Sequence, residues 1–173
     1  DATVVLNPAA AESGLDKYLA GHIPGSVFLD HAVISDPNSH LMYTMPDEKT
    51  LGRAIGALGI SKDTPVVVYS TDMLAWATRI WWVLQYAGHR NVRVLNGGLQ
   101  AWTGALEIAE NKYVPTTFNI DFSPQMFASK EEVLASITDG SACVVNTLTP
   151  EIYKGEADVF YAGHISGSVN HPF

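Results

Sequence analysis

Cysteine is nearly absent: Cys143 is the only one in 173 residues. A single thiol excludes an intramolecular disulfide framework and every Cys-x-x-Cys metal or redox site. It fits a reducing compartment, so the cytoplasm is the expected location, with export left open if a leader has been removed ahead of Asp1. Positive charge is scarce too. Ten Lys and Arg stand against eighteen Asp and Glu, a net charge of −8, and the ten are scattered. Without a basic stripe to meet a phosphate backbone, no nucleic-acid partner is expected. Long apolar runs are missing. The best candidate, Ile80-Trp81-Trp82-Val83-Leu84, is soon broken by Gln85 and by Gly88-His89-Arg90, far too short to span a bilayer, so no membrane partner is expected. Histidines 22, 31, 40, 89, 164 and 171 form no His-x-x-x-His pair, and no metal site is expected. Asn96-Gly97-Gly98 lacks the Gly-x-Gly-x-x-Gly spacing of a dinucleotide loop; it reads as a tight turn, and no cofactor is expected.

What is present alternates between short apolar strands and amphipathic helices, the pattern of βα units around a mainly parallel sheet. Thr3–Leu6 reads as a strand, Leu15–Ala20 as a short helix and Ser26–Leu29 as a second strand. Pro46-Asp47-Glu48 opens a helix with Leu51, Ile55 and Leu58 on one face, stopped by Gly59. Pro65-Val66-Val67-Val68-Tyr69 is apolar without alternation, as for a strand covered on both faces. A helix over about 74–87 carries Ala75, Trp82 and Tyr86 and stops at Gly88. A strand over Val92–Leu95 and a helix holding Leu99 and Trp102 follow. Periodicity fades from Glu107 to Asp121, where Pro115-Thr116-Thr117 interrupts the chain; residues 111–124 read as a linker. Ser129-x-x-Glu132 is a capping box on a new helix that ends at Asp139-Gly140, ahead of a strand over Ala142–Val145.

One phrase occurs twice: AGHIPGSV at 20–27 and AGHISGSV at 162–169. In both copies a strand ending on Asn (Asn7, Asn146) lies upstream, a tyrosine (Tyr18, Tyr161) precedes the phrase and a strand follows it. The chain thus divides into a complete unit over 1–110, a linker over 111–124 and the opening of a second unit over 125–173. Ser70 lies 43 positions after Val27, and the same interval beyond Val169 reaches about position 212. The second unit's strand-to-helix loop is therefore expected outside this chain.

Ligands of open parallel sheets bind beyond the carboxyl ends of strands. The first unit's candidate is the loop Ser70-Thr71-Asp72-Met73 leading into the helix, a natural cradle for an anion. With the repeated GHIxG phrase, PVVVY, the stretch Arg79-Ile80-Trp81-Trp82 and VRVLNGGLQAW, the chain resembles the rhodanese-type sulfurtransferases. The resemblance is closest to the two-domain thiosulfate and 3-mercaptopyruvate enzymes and covers nearly the whole chain.

The resemblance implies an α/β fold with a rhodanese-like parallel sheet flanked by helices, and transfer of sulfane sulfur from thiosulfate or 3-mercaptopyruvate to cyanide or a thiol. A cysteine that opens the six-residue loop carries the sulfur as a persulfide. Two-domain members hold that cysteine in the second domain. Here Ser70 occupies the loop position, so no catalytic residue is expected in this chain, and the enzyme is expected only of a complete protein. A serine hydroxyl is un-ionised near neutral pH and no activating base stands beside it. The implied partners are a small anionic sulfur donor and the remaining part of the second domain, on the same or a cleaved chain. The alternative is a catalytically inactive rhodanese-like binding or regulatory module. A phosphatase of related fold would need a loop cysteine and a closing arginine.

Donor-binding candidates are Ser70, Thr71, Asp72 and Arg79; Arg79 reads equally as a structural ion pair. Asp72 and the bulky Met73 are poor company for an anion. Asn7-Pro8-Ala9 and Asn146-Thr147-Leu148 stand where family members carry Asp-x-Arg. His22 and His164 read as structural hydrogen-bond formers, Asp30 and His31 as turn residues, Cys143 as a small buried apolar residue, and Trp76, Trp81, Trp82 and Trp102 as packing.

Overall fold

The computed structural model describes residues 1–6, 11–159 and 161–173; Asn7-Pro8-Ala9 lies outside them. Contacts divide the chain into two units, Asp1–Pro124 and Gln125–Phe173. In the first, α1 (Gly14–Ala20) starts from a capping box, in which Ser13 Oγ accepts the Asp16 N–H and the Asp16 carboxylate accepts the Ser13 N–H. Helix α2 (Glu48–Ala57) starts from Asp47, whose carboxylate accepts the Thr50 N–H at 3.0 Å. It ends as expected, with Gly59 at φ +77°. Strands β1 (Val66–Val68) and β2 (Val92–Val94) pair in parallel, Val66 opposite Val92, joined by α3 (Leu74–Tyr86). Ala77, Ile80, Val83 and Leu84 of α3 are buried with Val68 and Val92, and Leu29, Ile34, Leu51, Ile55 and Phe118 complete the core.

Several expectations change. Segments Thr3–Leu6 and Ser26–Leu29 are extended but are not strands. Asp1 bridges the second of them, its ammonium donating to Val27 O at 2.7 Å and its carbonyl accepting the Leu29 N–H at 2.9 Å, and Ala2 N–H bonds Tyr69 O at 2.9 Å, but among the described residues no repeating ladder follows. The sheet is not covered on both faces: Val67 points away from the Val68 side and is 60% exposed. In α3 the buried side is that of Ala77, Ile80 and Leu84, with Ala75, Trp82 and Tyr86 half-buried. Trp102 follows the 3-10 turn Gly98–Ala101 and is exposed, so it is not core.

Residues 111–124 do not hang free between units. Thr116 N–H bonds Gly56 O at 2.9 Å, Asp121 N–H bonds Ala87 O at 3.1 Å, and Ser123 N–H bonds Tyr86 O at 2.9 Å. The stretch is a strap across α2 and the end of α3. It crosses α2 at its glycines: a Cβ on Gly56 would stand 2.3 Å from Thr116 O, and one on Gly52 2.9 Å from Phe118 O. Period-based reading misses it because an irregular strap has no period.

In the second unit, the Ser129–Glu132 capping box opens α4 (Lys130–Asp139), which Gly140 ends at φ +66°. Strands β3 (Val145–Asn146) and β4 (Val169–Asn170) pair in parallel around α5 (Pro150–Lys154). Of this unit's described residues only Ser136 and Ser168 are buried. Cys143 is exposed rather than buried, because it precedes β3 on a unit with almost no interior. Among the described residues no helix is long and apolar enough to cross a membrane.

Candidate functional site

The βα turn places Ser70 at the carboxyl end of β1, with its side chain sealed inside. Ser70 is 2% exposed and its Oγ donates to Met73 O at 2.8 Å. Its carbonyl accepts the Leu99 N–H at 3.1 Å. That approach needs the Asn96-Gly97-Gly98 turn, since Gly98 sits at φ +60° and a Cβ there would meet Ser70 O at 2.6 Å. The Thr71 N–H donates to Thr3 Oγ1, which donates onward to Thr71 Oγ1, both at 3.0 Å. Gln100 Nε2 donates to Thr71 O. Asp72 pairs with Lys17 Nζ at 2.6 Å at the surface, and that hydrogen bond raises the Lys17 ammonium above its ordinary value. The Ser70 side chain and the Thr71 amide are thus already engaged, and the loop's rim carries a carboxylate.

Arg79 does not join Ser70, Thr71 and Asp72. Its guanidinium donates to His31 Nδ1 at 3.0 Å, to Tyr43 O at 3.1 Å and to Ser35 Oγ at 3.3 Å. It also lies over the Tyr43 ring, 5.1 Å from the centroid. It therefore ties the 31–43 segment to α3 with carbonyl, hydroxyl and imidazole partners. Burial pulls its pKa below the ordinary value. His31, expected as a turn residue, opens the 3-10 turn His31–Ile34 behind Asp30, whose carboxylate accepts the Ala32 N–H. It is 2% exposed, its Nε2–H donates to Ala2 O at 3.0 Å, and Trp76 packs edge-on to its ring. Desolvation first, and the nearby Arg79 charge, lower its pKa to about 4.

Both GHIxG histidines are structural, as expected. His22 Nδ1–H donates to Tyr18 O and His164 Nδ1–H to Tyr153 O, each at 2.7 Å. The tyrosine equivalent to Tyr18 is Tyr153 rather than Tyr161, because Tyr153 makes the matching contact. The residues that sequence reasoning missed are Glu107, Asn111 and Tyr113, which fasten the strap to the first turn. Gly25 N–H donates to Glu107 Oε2 at 2.9 Å, Tyr113 Oη donates to Gly25 O at 2.8 Å, and Asn111 Nδ2 donates to Ser26 O at 3.1 Å. Hydrogen bonds from Asn111 and Gly25 hold the Glu107 carboxyl below its usual range.

Residues 10–105 match the rhodanese-like domain family. This chain belongs to the rhodanese family. It is 32% identical over 169 residues to the 3-mercaptopyruvate sulfurtransferase of Escherichia coli K12, covering 91% of this chain and 58% of that protein. It is 35% identical over 167 residues to the thiosulfate sulfurtransferase of Mus musculus, covering 91% and 56%. Its fold superposes on the rhodanese-fold 3-mercaptopyruvate sulfotransferase SseA of Escherichia coli with a TM-score of 0.88 at 30% identity, over 98% of this chain and 66% of that one. The chain thus spans a little over half the length of the curated relatives it matches. In the first unit the loop after β1 opens on the buried Ser70.

Proposed function

We infer that this chain contributes the first, non-catalytic unit, the strap and the opening of the second unit of a thiosulfate/3-mercaptopyruvate sulfurtransferase. The observation that carries the reading is the pairing of the two sulfurtransferase relatives with a duplicated GHIxG turn. The reacting cysteine then belongs to the second unit's βα loop, outside this chain. Its thiolate attacks the sulfane sulfur of thiosulfate; the S–S bond breaks, sulfite leaves with the electron pair, and a cysteine persulfide remains. With 3-mercaptopyruvate the C–S bond breaks instead, and pyruvate leaves after its methylene carbon takes a proton. Cyanide or an acceptor thiol next takes the outer sulfur and the cysteine thiolate departs. No cofactor enters these steps. The donor's anionic group is met in the second unit, while Ser70, Thr71, Asp72 and Arg79 hold the first unit's loops in place.

A second reading is favoured by one observation, the closed Ser70 turn: a rhodanese-like binding or regulatory module without catalysis. Denaturing intact-mass analysis of the natural protein separates the two. The sulfurtransferase reading expects a chain longer than 18.7 kDa, or a co-purifying fragment of roughly 100 residues, an ordinary domain length. That added polypeptide gains 32 Da on a cysteine after treatment with thiosulfate, the mass of one sulfur atom, here about 32 Da as persulfide chemistry requires. A single species of 18.7 kDa leaves the binding module.

A further inference from the structure

Strand β2 leaves the sheet through a turn that closes on the Ser70 loop. Leu95 O accepts the Gly98 N–H at 3.1 Å, and Gly97 sits at φ +82°, ψ 5°, the geometry of a type II turn with Asn96 at its first inner position. Beyond the turn, the Leu99 N–H donates to Ser70 O at 3.1 Å and Gln100 Nε2 donates to Thr71 O. Gly98 is buried at the crossing, where a Cβ would stand 2.6 Å from Ser70 O. The contact holds only while the backbone from Leu95 to Leu99 keeps its length.

Asn96 and Gly97 themselves are exposed. Among the described residues neither the Asn96 carboxamide nor the Gly97 N–H has a hydrogen-bond partner. Asparagine is thermally labile, because the next residue's amide nitrogen can attack its side-chain carbonyl. A following glycine leaves that approach open, whereas a β-branched side chain crowds it. Of the eight asparagines only Asn96 precedes a glycine. Val92, Ile120 and Thr147 follow Asn91, Asn119 and Asn146, and Pro8 after Asn7 has no N–H to react. The other three are restrained: Asn111 Nδ2 donates to Ser26 O, Asn170 Nδ2 donates to Leu148 O, and the Ser39 N–H behind Asn38 donates to Asp36 O.

We propose that Asn96 is a deamidation site, and that its conversion to isoaspartate opens the Ser70 turn. The Gly97 nitrogen bonds to Asn96 Cγ, the Cγ–Nδ2 bond breaks, and Nδ2 leaves as ammonia with the Gly97 proton. Water then opens the five-membered imide at either carbonyl, giving aspartate or isoaspartate; nothing is oxidised or reduced. In isoaspartate the backbone runs through Cβ and Cγ and gains one atom between Leu95 and Gly98. Gly98 then cannot keep its bond to Leu95 O and still hold Leu99 against Ser70 O. The native turn slows the first step. A type II turn sets the Asn96 ψ at about +120°, and ring closure needs the opposite sign, so the Gly98 bond to Leu95 must open first. The change is one-way, and it acts on the loop at the carboxyl end of β1.

The full chain is aged in warm, mildly alkaline buffer beside the free peptide of residues 94–100, VLNGGLQ, and both are followed by tandem mass spectrometry. The exchange of NH2 for OH is expected at Asn96 before any other asparagine, and more slowly in the chain than in the peptide. In the deamidated fraction, separated by its added charge, the Leu99 amide exchanges with deuterium about tenfold faster, the worth of one net hydrogen bond. Asn96→Asp carries the charge without the extra backbone atom and keeps the slow exchange. Asn96→Gln, whose ring closure is six-membered, stays unmodified through the same ageing. Asn96 unchanged after many peptide half-lives, earlier loss at another asparagine, equal rates in chain and peptide, or equal Leu99 exchange before and after deamidation overturns the proposal. So does fast exchange in Asn96→Asp, since charge rather than backbone length would then open the turn.

Discussion

His31 is where a single residue most affects the chemistry of the fold. Its Nε2–H is committed to Ala2 O, so Nδ1 must stay unprotonated to accept from Arg79. Adding a proton there would set N–H against N–H beside a cation, in agreement with a pKa lowered to about 4. The unfolded chain titrates at the ordinary value near 6.5, so between those values the unfolded state binds more protons. The His31 contribution to stability is therefore complete above about 6.5 and falls as the pH drops through this window to about 4. At roughly 1.4 kcal/mol per unit the loss amounts to at most about 3 kcal/mol. Urea unfolding of the His31→Gln variant is expected to lose most of this slope between pH 6.5 and 4. His89, also buried, is pushed down by burial as well and leaves a residual slope of the same sign. Ser70 supports a second prediction. In a Cys143→Ser background, Ser70→Cys is expected to yield no cyanide-labile sulfur after thiosulfate treatment, because the side chain faces Met73 O and the Thr71 amide is spent on Thr3. One equivalent of labile sulfur would show that the closed turn opens to donors.

Among the elements, α2 is the one whose sequence misleads. Glycine inside a helix costs about 1 kcal/mol relative to alanine, so propensity alone makes Gly56→Ala stabilising. In the fold the strap runs over this face, and the new Cβ would stand 2.3 Å from Thr116 O. The variant is expected to lose about 1–3 kcal/mol, the range for overpacking, read as a lower thermal midpoint. A rise in that midpoint would mean that the strap lifts at little cost. The starts of α2 and α4 were legible: Asp47 and Ser129 accept the N–H groups that sequence assigns to caps, because capping is a local interaction, whereas the Ser13 capping box of α1 and the short helix α5 emerge only in the structure. Extended segments were not. Val4 and Val5 have strand composition, but a strand is defined by its neighbours, and here only isolated bonds tie that segment to the sheet.

For the whole molecule, the core lies in one unit. Every residue of the buried apolar cluster falls between Ala2 and Phe118, and the described residues beyond Pro124 bury only Ser136 and Ser168. Residues 1–124 alone are expected to keep a cooperative urea transition at the midpoint of the full chain. Residues 125–173 alone are expected to show none, since too little apolar surface leaves water to offset chain entropy. A cooperative transition in the short fragment would show that its burial has been underestimated. The boundary matters for design of such fragments: cutting at 110, where periodicity ends, would strip off Phe118 and the Ser123 partner of Arg90.

The sequence by itself determined the family, the duplicated turn, the starts of α2 and α4 and their stops at Gly59 and Gly140. Each of these is written in contiguous residues acting over a few positions. The tertiary structure alone decided that residues 111–124 are a strap and that Arg79 serves Tyr43, Ser35 and His31 rather than the loop. These outcomes depend on groups tens of positions apart meeting in space, and no local period or motif encodes which partner arrives.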